Sequence, residues 1–112
     1  QAFVTLNDPV YVEAAQALAR RIYQAGGDDT AQRLRYAIEL CLVRPPTEGQ
    51  ITALTELWNS EQAHYEQHPD DAVAIATDPL GALPDGMPPA DLAAWTVVAN
   101  VLLNLDAVLS KN

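Results

Sequence analysis

The stretch WTVVANVLLNLDAVL, from Trp95 to Leu109, decides how this chain folds. At 100° per residue, Trp95, Val98, Val101, Leu102, Leu105 and Leu109 cover most of the circumference. Thr96, Asn100, Asn104 and Lys111 form a narrow polar stripe. A helix apolar over so wide an arc belongs at the centre of a bundle, packed first against the apolar faces of the other helices. Asn100, Asn104 and Asp106 interrupt it too often for a bilayer, which asks for about 20 largely apolar residues, so the segment reads as not transmembrane. An unpaired buried amide costs about 1–3 kcal/mol, so the stripe is expected to face water, or else to meet a group outside this chain.

The surrounding helices announce themselves by their ends. Asn7-Asp8-Pro9 combines a short polar capping side chain with a proline preset for the first helical position. Tyr11, Ala14, Ala15, Leu18 and Ile22 then fall on one face, with Glu13, Gln16 and Arg20 pointing elsewhere. Gly26-Gly27 ends this helix, and Asp28-Asp29-Thr30 caps the next, which runs to about Leu42 with Leu34, Ala37, Ile38 and Cys41 as its stripe. Pro45-Pro46 stops it. Thr47-Glu48-Gly49-Gln50 has the spacing of a capping box ahead of a third helix whose core face is Ile51, Leu54, Leu57, Trp58 and Tyr65. That helix should fade near His68-Pro69, and Asp70-Asp71 with AVAIA adds one or two short turns.

From Thr77 to Pro89 the chain reads TDPLGALPDGMPP, with four prolines and two glycines in thirteen residues. Such a connection is either a strap held down by Leu80, Leu83 and Met87 or a functional loop. The expected fold is therefore all-α: one domain over residues 1–112, a small bundle of four main helices with a long Pro/Gly-rich loop before the last.

Composition agrees with a globular domain. Of 112 residues, 49% are hydrophobic and 19% charged. Fifteen acidic against six basic residues leave a net charge of −9, the wrong sign for neutralising phosphates, so nucleic acid is not an expected partner. The pairs Arg20-Arg21 and Arg33/Arg35 read as solvated faces or as partners of carboxylates.

Chemistry-bearing patterns are sparse. In EQAHYEQH, Glu61, His64 and His68 share a helical face at the spacing from which zinc is often held, and they are the candidate metal ligands. His68, just before Pro69, is equally explained as a helix C-terminal residue meeting the dipole. Cys41 is the sole cysteine, lies on an apolar stripe and reads as a small buried hydrophobe. Asp28-Asp29 and Asp70-Asp71 sit at helix starts and read as caps. No glycine-rich phosphate loop, nucleophile elbow, calcium loop or haem-attachment motif is present, so no cofactor and no catalytic residue is assigned.

The segments QAFVTLNDPVYVEAAQALARRI, LVRPPTEGQI and ADLAAWTVVANVLLNLDAVLSK resemble a planctomycete-specific domain of unknown function that ends large exported proteins. Its signature pieces here are Leu6 to Pro9, Arg44 to Thr47, and Ala93 to Asp106. The resemblance implies upstream domains that include c-type cytochromes, a periplasmic or cell-surface setting, and a chain that begins in mid-segment as the C-terminal fragment of a larger protein. It carries over no catalytic residue. The expected role is a non-catalytic interaction module docked on upstream domains of its parent. The alternative is a share in a ligand, metal or catalytic site that those domains complete, and a homodimer through the last helix is a third arrangement.

Overall fold

The computed structural model describes residues 9–42 and 44–110, with side chains from 12 to 42 and from 44 to 105. It contains α1 (Pro9–Ala25), α2 (Thr30–Cys41), α3 (Glu48–Glu66), α4 (Pro69–Thr77) and α5 (Pro89–Ser110), with no strand among the described residues.

Local chemistry sets the boundaries. Gly27, at φ +114°, makes the left-handed turn that α1 needs to reverse into α2, a conformation that costs any residue with a Cβ. Asp29 caps α2 by accepting the Gln32 amide at 2.8 Å, and the Gln32 side chain returns the favour by accepting the Asp28 amide at 2.8 Å. At α3 the capping box is complete: Thr47 Oγ1 accepts the Gln50 amide at 3.1 Å and Gln50 Oε1 accepts the Thr47 amide at 3.0 Å. The Asn7-Asp8 cap, the Tyr11 and Leu109 side chains and Lys111 lie outside what the structure describes.

The helices close around α5. Every side chain from Leu92 to Leu102 is buried, eleven in succession, so for three turns no side of this helix reaches solvent. All four other helices touch it. Ala15, Ala19 and Ile22 approach from α1, Leu34, Ala37 and Ile38 from α2, and Leu54 from α3, in one continuous core. The central placement expected of WTVVANVLLNLDAVL is thus what the chain adopts.

The bundle has five helices where the sequence pattern suggests four main ones. The short turns expected after Asp71 are a nine-residue helix, α4. Pro69 starts it, Asp70 and Asp71 face its dipole, and Ala72 and Ala76, one turn apart, bury themselves in the core region. Residues this small give little periodicity to read, yet they let α4 lie close against α5.

Three expected faces shift. The stripe on α5 does not face water: Thr96 and Asn100 are fully buried. Thr96 Oγ1 satisfies itself on the Leu92 carbonyl at 2.7 Å, and the Asn104 amide donates to the Asn100 carbonyl at 2.8 Å and to its Oδ1 at 3.0 Å. The Thr96 hydroxyl and the Asn100 Oδ1 are thus satisfied within the helix, whereas Asn100 Nδ2 is buried without a partner. On α1 the buried alanines are Ala15 and Ala19, while Ala14 is exposed. Leu105 is 40% exposed, so the shielding of α5 ends about one turn past Leu102.

Candidate functional site

The part of the molecule with the least ordinary architecture is the junction of α1, α4 and the loop of residues 78–88. Gln16, on α1, is fully buried although it is polar. Its Nε2 donates to the Ile75 carbonyl at 2.8 Å and to the Asp78 carbonyl at 2.7 Å, and its Oε1 accepts the Leu80 amide at 3.1 Å. One turn on, Arg20 Nη2 donates to the Ala76 carbonyl at 3.2 Å and to the Gly81 carbonyl. Two side chains of one helix thus satisfy the carbonyls that the end of α4 leaves open, and hold the chain beyond it through the cis Asp78-Pro79 peptide. Burial lowers the Arg20 guanidinium from its usual value, and its Nε is buried without a hydrogen-bond partner.

Gln16 and Arg20 are the residues that the helical projection places away from the core. Their one-turn spacing beside the buried Ala15 and Ala19 is the available signal: two alanines keep the helix narrow, so a neighbouring segment reaches its flank as well as its face. The strap reading of the loop is partly realised by apolar anchors. Met87 is buried and Leu83 packs on the core, whereas the amide of Leu80 does the anchoring at its position.

Between α4 and this loop lies an open depression of about 710 Å³. Val73 and Thr77 form one side, and Pro79, Leu83, Pro84 and Met87 contribute to the other. Val73 is 46% exposed, the highest among the large hydrophobic side chains that reach solvent within the described residues. Asp78 and Asp85 also line it.

The Glu61, His64 and His68 face takes a different form. The imidazoles of His64 and His68 stack, with centroids 4.5 Å apart and planes 23° from parallel, and His68 Nδ1 donates to the His64 carbonyl at 2.9 Å. Rings lying face to face do not direct their lone pairs at one point. Among the described residues no three His, Cys, Asp or Glu side chains come together so as to hold a metal ion. Next to them the Tyr65 hydroxyl is pushed above its ordinary value, first by burial and then by the negative charges of Glu61 and Asp71.

The remaining sequence candidates have structural roles. Arg33 lies with its guanidinium 4.0 Å from the centroid of the Tyr23 ring and donates to the Tyr23 carbonyl at 3.1 Å, and Arg21 Nε donates to the Tyr36 hydroxyl at 3.0 Å. Both fasten α1 to α2. Cys41 is half-buried against the core. Among the described residues no helix is long and apolar enough to cross a membrane.

These features define a small all-α bundle wound round a buried final helix, with a fastened loop and an open acidic depression on one side. The chain belongs to the family of proteins of unknown function DUF1553, whose family model matches residues 1–58. No curated protein and no solved structure matches it. The matched span covers α1, α2 and the first half of α3, whose buried faces are filled by α5 from beyond it.

Proposed function

We propose that this chain is a non-catalytic helical docking module at the C-terminal end of a large exported protein, packed against upstream domains of the same parent. On this reading residues 1–112 form one domain, because α1 packs chiefly on α5, and α2 touches α1, α3 and α5 alike. The planctomycete-type setting, the cytochrome domains upstream and the periplasmic or cell-surface location come from the family resemblance.

One observation carries the proposal. The loop of residues 78–88 is tied to α1 through its own backbone by Gln16 and Arg20, and Leu83 and Met87 anchor it in the core. A lid over a substrate must move, whereas a wall held at this many points offers a partner a surface of fixed shape, which lowers the entropy lost on binding. Nucleic acid is not among the partners proposed, since a chain of net charge −9 repels phosphates.

Isothermal titration of residues 1–112 with the upstream region of the parent chain tests this. A one-to-one complex is expected, with the 1–112 chain monomeric on its own in sedimentation. Absence of any complex removes the proposal.

A further inference from the structure

We propose that the docking face is the shelf made by α4 and the loop of residues 78–88, and that its occupant is a lysine- or arginine-rich protein segment bearing an apolar side chain. This deepens the docking reading and rests on it. The first part of the argument is charge. Residues 45–110 hold ten Asp or Glu and not one Lys or Arg, so α3, α4, the loop and α5 present carboxylates with no cation of their own. Asp78 and Asp85 line the depression, and by helical spacing Asp70 shares the face of α4 that carries Val73 and Thr77. Arg20, the cation that reaches this loop, has its guanidinium tied to the Ala76 and Gly81 carbonyls.

The second part is shape and apolar surface. Val73 stands out of α4 at 46% exposure beside Pro79, Leu83 and Pro84, an apolar patch whose lining also holds Asp78 and Asp85. A small-molecule pocket would enclose its ligand; this one is open and shallow, as suits a side chain projecting from another protein surface. Charge steers such a partner in, and the apolar contact at Val73 holds it.

The test uses a short fluorescein-labelled lysine peptide carrying leucines, and the same peptide with serines in their place, read by fluorescence anisotropy. The leucine peptide is expected to bind about tenfold or more tightly than the serine peptide. Val73→Asp, at a half-exposed position, separates the possibilities by sign: it should weaken the leucine peptide, whereas attraction by charge alone would strengthen it. Asp78→Asn with Asp85→Asn should weaken both peptides and flatten their salt dependence. Equal affinity for the two peptides, tighter binding by the Val73→Asp chain, or no binding of the leucine peptide each overturns the proposal. The parent's upstream region, titrated into the Val73→Asp chain and into the Asp78→Asn, Asp85→Asn chain, separates this inference from the docking reading. Undiminished binding sinks the shelf and keeps the docking, while no binding to the unaltered chain sinks the docking itself.

Discussion

Gln16 Oε1 accepts the amide proton of Leu80 at 3.1 Å across 64 positions of sequence, and the same side chain donates to the Ile75 and Asp78 carbonyls. A single buried amide therefore joins the first helix to the end of α4 and to the loop. Gln16→Leu keeps the approximate volume and leaves two carbonyls and one amide without their partner in a partly buried place. At about 1 kcal/mol for each lost bond, the chain should lose about 2–4 kcal/mol of stability in urea unfolding. Hydrogen exchange at Leu80 should accelerate well beyond that of the α5 amides. An unchanged Leu80 rate would mean that the loop is held by Leu83 and Met87 alone.

How much of this could be read beforehand depends on the kind of signal. The ends of α2 and α3 were legible because capping is local: Asp29 with Gln32 and Thr47 with Gln50 lie within one turn of each other. The central position of α5 was legible because an arc of large apolar side chains has no other place to go. The fate of Thr96, Asn100 and Gln16 was not, since Thr96 and Gln16 are buried on their hydrogen bonds and Asn100 on a bond to its oxygen alone, and a projection sees polarity without seeing the partner. For Gln16 that partner is the backbone of residues roughly 60 positions away, which no local pattern contains. The depression beside Val73 was hidden for a related reason, because its walls come from α4, whose Ala-rich face has weak periodicity, and from a loop with none.

The capping box at α3 predicts a coupling. Thr47→Ala alone should cost about 1 kcal/mol, and Gln50→Ala somewhat less because the longer glutamine side chain gives up more rotamer freedom to make its bond. The two bonds brace the same turn, so the double variant should cost less than the two single losses combined. A double-mutant cycle by urea denaturation checks this, and strict additivity would show that each bond acts alone.

Tyr65 predicts a pH dependence. Burial, then Glu61 and Asp71, disfavour its phenolate in the folded chain, so its folded value lies above the unfolded value of about 10. The unfolded chain then gives up this proton at lower pH than the folded one. The contribution to stability is complete below about pH 10 and is lost as pH rises through the folded value. Tyr65→Phe should flatten the fall in stability above pH 10 and leave neutral pH nearly unchanged, measured by thermal unfolding alongside the ultraviolet titration of the tyrosines. A fall of the same steepness in the variant would assign it to other groups.

The two tryptophans predict unequal sensitivities. Trp58 and Trp95 lie with ring centroids 5.4 Å apart and planes 46° from parallel, but their surroundings differ. Trp95 is 1% exposed at the centre of the bundle, and Trp95→Ala opens a cavity that should cost about 3–5 kcal/mol. Trp58 is only half-buried, and its Nε1 is buried without an acceptor, a donor taken from water with nothing in return. Trp58→Phe removes that donor and keeps an aromatic ring against Trp95. The relief of an unpaired group, about 1–3 kcal/mol, then offsets the lost ring area. The net change should stay within about 1 kcal/mol, while Trp58→Ala, which forfeits the ring contact as well, should cost clearly more. Urea midpoints of the three variants rank these effects. A Trp58→Phe loss as large as that of Trp58→Ala would mean that the indole nitrogen has a partner in solution.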